Sequence, residues 1–492
     1  KLGLDWHFDI ATDRGLEGTP IVVDGIMYAA GAWSIVYALD ARSGKLLWTY
    51  DPKISADAAS SQCCDMVDRG VAVYKGRVYV AAFDGRLIAL QASDGSVIWE
   101  TNTVTDDWPY TITGAPRIAD DKIIIGNSGA DLGVRGYVSA YHADGGELAW
   151  RFFTVPGDPA KGFESPAMAM AAKTWKGEWW RYGGGGTVWD SIAYDHALNL
   201  VYIGVGNGSP WPQDIRSPGG GDNLFLSSIV ALNASTGEYV WHYQTTPGET
   251  WDYTATQHMI LADVEIENRI RKVLMQAPKN GFFYVLDRAD GELLRADAYA
   301  KMNWATHVDM TTGRPVETPD ARYGFTPKFT LPSGMGAHNW HPMSYSPLTG
   351  LVYIPAQEIP GMFSRQEGFV FNKGSTNLGI SLANVAPPED PEELKKALAS
   401  VHGYLIGWDP LIGKAKWSRE QVSPVNSGLM ATAGNLLFQG RGDGKFAAHR
   451  ADNGEELWTH EAQTGLVAPP ISYEVDGKQY VSIMAGWGGG FS

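Results

Sequence analysis

Cysteine is nearly absent from this sequence. Its 492 residues include two, and they are neighbours, Cys63 and Cys64. That excludes a disulfide-stapled scaffold, and the adjacency excludes a Cys-x-x-Cys-His haem attachment. The pair itself leaves two readings open, two buried thiols or a bond between neighbours. The bond is strained, because consecutive Cα atoms sit about 3.8 Å apart, below the usual disulfide range. It also needs an oxidising compartment. Charge is sparse, at 19% of residues, and its balance is −16. An acidic surplus argues against nucleic acid, whose phosphates it repels. No run of 18 apolar residues occurs, so no membrane-spanning helix is expected. No charged-then-apolar signal segment stands at Lys1. No Gly-x-Gly-x-x-Gly opens a βαβ unit, which removes the common dinucleotide fold.

What is abundant is glycine (58), tyrosine (22) and tryptophan (19). Turns and large rings in these numbers suit many short strands. The organising signal is a repeat, Ala-x-Asp-x-x-x-Gly-x-x-x-Trp. It runs from Ala38 through Gly44 to Trp48, from Ala89 to Trp99, from Ala140 to Trp150 and from Ala231 to Trp241. A decayed copy ends at Arg295, and two more end at Trp417 and Trp458. In each copy a strand leads into an Asp/Asn–Gly turn, and the next strand presents a large ring. Further strands, such as 76–81 and 200–204, fill the intervals, so one unit reads as a four-stranded blade. Seven copies plus Trp6 predict an all-β, eight-bladed β-propeller. Its last blade is expected to be completed by a strand at Trp6, and residues 1–492 form one domain. Long insertions, 150–231 and 295–407, are the expected place for a binding site. The second holds a proline-rich stretch and a short helix over 392–399.

Several insertion residues carry chemical potential. Gly183–Gly186 is either a loose surface turn or a place where backbone must approach something closely; Thr187 and Trp189 follow on one side of an extended chain. Asp131, Asn207 and Asp252 are hard oxygen donors of the kind calcium takes, although each alone also serves as a turn residue. Lys279 precedes an apolar strand and is either a solvated strand end or a cation aimed into a pocket. His338 and His341 lack zinc spacing and a third ligand, so no zinc site is expected.

Together these segments resemble the PQQ-dependent alcohol dehydrogenases, most closely the quinohaemoprotein (type II) branch. The resemblance spans nearly the whole chain. It rests on the Trp repeat, Gln62-Cys63-Cys64-Asp65 with Arg69-Gly70, Thr111–Pro116, Gly185–Ser191, Gly206–Trp211, Asn280–Phe283 and His338–Pro342. It implies a vicinal Cys63–Cys64 disulfide against one face of pyrroloquinoline quinone (PQQ), with Trp189 stacked on the other. It implies that Glu17, Arg69, Thr113, Ser128, Gly129 and Ala130 contact the quinone or line its pocket. Thr187, Asn339, Trp340 and Trp487 would do the same. Asp131, Asn207 and Asp252 would hold calcium. Lys279 would sit near the reactive carbonyl, and Asp252 would be the general base. Alcohol oxidation, a periplasmic location and a cytochrome c acceptor, separate or in a C-terminal domain absent from this chain, are implied too.

Two departures stand out. Asp131 occupies a place where the family usually has Glu. Thr254 stands where lanthanide-using relatives carry Asp, which favours calcium. The rival reading is a non-catalytic Trp-repeat propeller of the outer-membrane assembly type, which lacks the cysteine pair and the metal constellation.

Overall fold

The structure is a computed structural model of the 492-residue chain, and it describes all residues except 1, 57, 59–63, 106–107, 385–389 and 490–492. Among the described residues seven four-stranded antiparallel sheets follow one another in chain order. They are blades 1 to 7, covering residues 21–50, 72–102, 117–153, 192–244, 260–298, 344–421 and 426–461. The first strands of consecutive blades neighbour one another, as in blades 1 to 5. Each repeat Trp lies on the outermost strand of its blade.

The core lies between blades. Val36, Ala38, Val78, Val80 and Ile88 fill the space between blades 1 and 2. Val201, Ile203 and Val230 meet Ile124, Val138 and Phe152 between blades 3 and 4. Burial of alternate side chains on both faces of every sheet is why the strands read as short apolar runs.

The repeat has a structural meaning: in five of the seven copies its Trp docks on the next blade's glycine turn, while Trp458 packs on Phe446 and His460. The Nε1 groups of Trp48, Trp99 and Trp150 donate to the carbonyls of Ala92, Ala143 and Ala234, at 3.0, 3.2 and 3.0 Å. Trp241 and Trp417 make the same bond to Arg288 and Ala451. The ring covers a glycine with positive φ; a Cβ on Gly95, Gly146, Gly237, Gly291 or Gly454 would sit 2.5–2.6 Å from it. In the decayed copy Arg295 takes the ring's place and donates to Ile412 O at 2.6 Å.

The eight-blade expectation is corrected. The fold is a seven-bladed propeller. The seven repeat copies are the seven blades, and Trp6 does not announce another. Residues 2–10 form no strand, yet Trp6 still donates to Ala41 O at 3.3 Å and covers Gly44. The strands Ile471–Val475 and Lys478–Ser482 pair only with each other. This hairpin packs against blade 1 through Ile471, Tyr473 and Val475, and against blade 7 through Val481 and Ile483. Counting rings overcounted sheets, because a ring can dock without a strand behind it.

Gly237→Ala is expected to destabilise the protein by about 1–3 kcal/mol through overpacking against Trp150. Gly25→Ala is the control: its φ is also positive (76°), but a Cβ there meets nothing within 4 Å. Thermal unfolding of both variants tests this. A Gly237 variant no less stable than the Gly25 variant removes the docking argument.

Candidate active site

Asp252 sits between two fully buried aromatics. Trp251 and Tyr253 stack on each other, 5.4 Å between centroids, and both pack on Trp304. With its neighbours fixed, Asp252 takes a left-handed conformation, φ 64°. Non-glycine residues adopt this only where their surroundings impose it. The carboxylate lines a cavity of about 870 Å³ and accepts from Lys279 Nζ at 2.8 Å. Burial pushes the Asp252 carboxyl up to about 8; Lys279 opposes this and Asp131 adds to it.

The four glycines are buried rather than a surface turn, and two of them, Gly184–Gly185, form a short strand. Gly184 and Gly185 pair with Ser209 and Gly208, and a Cβ on Gly185 would meet Asn207 O at 2.5 Å. All four have positive φ. Their packing brings Thr187 beside Asn207: Gly206 N donates to Thr187 O, and Gly186 N to Asn207 O. Asn207 Nδ2 is 3.4 Å from Asp131 Oδ1, which also accepts from Trp211 Nε1 at 2.8 Å. Burial raises the Asp131 carboxyl above its ordinary value.

A second cluster occupies another part of the wall. Arg69 is ion-paired with buried Glu17 at 2.8 Å, and donates to Thr113 Oγ1 at 2.8 Å. Thr113 Oγ1 lies 3.1 Å from Ser128 Oγ. The guanidinium also lies over the rings of Trp189 and Trp340, at 5.2 and 4.9 Å. Burial pushes Glu17 up to about 7 against the pull of Arg69.

The same cavity is lined by Cys64, Gly129, Ala130, Thr187, Trp189, Asn339 and Trp340. Cys63 lies outside the described residues. Trp487 does not line the cavity; it packs beside Trp189 and Trp340 with Val425 and Val467. Sequence reasoning did not single out Trp211 as a partner of Asp131, nor Glu249, whose role depends on contacts between distant segments. The second insertion supplies Ile359, Met362 and Phe363 to the wall. Phe329, Leu382 and Leu398, more than half exposed, join them at the open end.

The lining suits a flat, polyanionic ring and a hard cation. Arg69 Nε, Thr187 Oγ1 and Trp340 Nε1 are buried without a hydrogen-bond partner among the described residues, and such groups call for one. Trp189 offers a flat apolar face. Asp131, Asn207 and Asp252 supply oxygen donors of the kind calcium takes.

Comparison with known proteins identifies the family. The family model for the β-propeller domain of glucose/ethanol/alcohol dehydrogenases that use PQQ matches residues 6–297 and 396–481. The quinohemoprotein alcohol dehydrogenase ADH IIB of Pseudomonas putida is 54% identical over 99% of this chain and 70% of its own length. The solved structure of ADHIIG from Pseudomonas putida HK5 is 53% identical, with a TM-score of 0.97, over 100% of this chain and 72% of that one. A europium-containing methanol dehydrogenase is 34% identical, with a TM-score of 0.89, over 99% of this chain and 85% of that one. With the cavity and these matches in hand, the chain belongs to the family of PQQ-dependent alcohol dehydrogenases.

Proposed function

We propose that this protein oxidises an alcohol to the aldehyde or ketone with PQQ and calcium bound in the central cavity, and that its electrons leave to a cytochrome c. The observation that carries this reading is the buried Asp252–Lys279 pair on a wall shared with Asp131 and Asn207. When bound, the quinone would supply the hydride acceptor and calcium the Lewis acidity that activates it.

The chain's own residues do the rest. Asp252 takes the hydroxyl proton of the alcohol. Burial raises its pKa, while Lys279 and a bound cation would pull it the other way and keep the carboxylate ionised to accept that proton. Lys279 fixes the orientation of Asp252 and offers positive charge where an oxygen gains negative charge. Asp131, Asn207 and Asp252 hold the calcium, and Thr254 adds no further carboxylate. Arg69, Thr113 and Ser128 meet the quinone's anionic groups, while Trp189 covers one face. Cys64, on the wall, is read as half of a Cys63–Cys64 disulfide, which supports a periplasmic location.

The open end of the cavity selects the substrate. Phe329, Met362, Phe363, Leu382 and Leu398 present hydrocarbon there, so we read the substrate as an alcohol with an apolar body. In a series of straight-chain alcohols, log kcat/KM should rise with each methylene, up to the equivalent of about 0.8 kcal/mol per buried CH2. A flat or falling series counts against an apolar pocket.

Asp252→Asn should retain PQQ, seen in its absorption, yet lose roughly 10²–10⁴-fold in turnover, the usual contribution of a positioned base. Near-normal turnover in the loaded variant refutes the assignment.

Asp131→Glu is expected to bind calcium more tightly than the natural protein. One oxygen of Asp131 is already engaged by the Trp211 indole, and its arm is a methylene shorter. Calcium titration of the PQQ-loaded proteins measures this; equal affinity means the shorter residue carries no energetic consequence.

A further inference from the structure

We infer that the buried ion pair Arg216–Glu249 is a positioning strut that sets the spacing of all three cation-binding residues. The inference rests on the reading that Asp131, Asn207 and Asp252 bind a cation. Both members of the pair are fully buried, with Arg216 Nη2 3.9 Å from Glu249 Oε2. Neither faces the cavity, so a direct contact with substrate or quinone does not account for them.

Their contacts do. Glu249 Oε2 accepts from Gly208 N, the residue after Asn207, at 3.1 Å. Glu249 Oε1 accepts from Tyr253 N, the residue after Asp252, at 3.1 Å. One carboxylate therefore clamps two segments that lie 45 residues apart in the chain (207 to 252), each bearing a cation ligand. Arg216 reaches the third. Its Nη1 donates to Pro210 O at 3.0 Å and Trp211 O at 2.5 Å, and the Trp211 indole holds Asp131. Arg216 also donates to the Glu249 carbonyl. The guanidinium packs directly on Gly208, where any Cβ would collide with it.

A buried ion pair is a weak source of stability, because desolvation offsets attraction. Its retention beneath a ligand set is better explained by geometry. Groups behind metal ligands orient them, and their loss typically weakens metal binding by 10–100-fold. Glu249→Gln keeps the shape but replaces one acceptor oxygen with an NH2, so one of the two backbone donors loses its partner.

The test uses PQQ-loaded protein stripped of metal by a chelator and titrated with calcium by calorimetry. Glu249→Gln should bind at least roughly tenfold more weakly. Asp195→Asn breaks another buried pair, Arg288–Asp195 at 2.5 Å, away from the cavity. It should lower the unfolding temperature yet leave calcium affinity unchanged. If Glu249→Gln does not fold, Arg216→Lys, which keeps the charge but loses the fork, is read in the same way. Natural affinity in a folded Glu249 or Arg216 variant overturns the strut alone. A natural protein that binds no calcium overturns the cation site, and the strut with it.

Discussion

Everything in this molecule hangs on one contact, a tryptophan ring seated on the glycine turn of the following blade. Each blade has two apolar faces and cannot bury either alone. The ring supplies area, and its single N–H fixes the angle by bonding one carbonyl. Glycine is required at the turn for two separate reasons, a positive φ and the absence of a Cβ beneath the ring. Repeating this contact around an axis leaves the inner strands facing one another, and the insertions fold over the space they enclose. The hairpin 471–482 and the Trp6 segment then bridge blade 7 and blade 1, covering apolar residues of both.

That rigid frame is what allows the site to hold costly groups. Asp252 is in a left-handed conformation, and buried carboxyls at positions 17, 131, 249 and 252 are pushed towards neutrality. Desolvation is the first cause in every case. A flexible loop would relax by turning these groups to water. Here Trp251, Tyr253 and Trp304 lock one segment, and the pairing of the 184–185 and 208–209 strands locks another. Strain and desolvation are placed where chemistry uses them, and the interblade cores offset their cost.

The blades were legible in the sequence because the docking contact is local and periodic. Seven copies of the repeat correspond to seven sheets, including the copy whose ring is replaced by Arg295. The blade number was misread at Trp6, where a docking ring is present but no strand follows; hydrogen bonding, unlike a ring, leaves no mark on one residue. In the cavity, the residues brought together are those whose motifs are short and distinctive, such as Thr187–Trp189, Asn207 and Asp252. Trp487 was placed on the cavity, yet it packs in a cluster with Trp189 and Trp340 and is not among the lining residues. Glu249 and Arg216 left no signal, since a lone Glu and a lone Arg 33 residues apart resemble any surface pair. Only folding shows that both are fully buried and that they share Gly208.

The charge balance at the ligand cluster gives the last step. Around Asn207 three carboxylates, Asp131, Asp252 and Glu249, face two cations, Lys279 and Arg216. Their surroundings are desolvated, which raises all three carboxyl groups, and Asp252 is raised further by the charges of Asp131 and Glu249, so one uncompensated negative charge is expensive there. Two responses are available, uptake of a proton or of a cation. A proton would go to a carboxylate and remove the base from Asp252. The divalent ion proposed here would instead turn the local balance to a single positive charge, keep Asp252 ionised, and suit an anionic quinone next to Arg69. The donors are oxygens, the ligand type that calcium takes in flexible shells. The surplus carboxylate, Glu249, is the one that lies off the cavity, accepting from two backbone N–H groups and pairing with Arg216. Its charge therefore helps attract the ion while its oxygens set where the ligands stand, so a single residue ties the electrostatics of the site to its geometry.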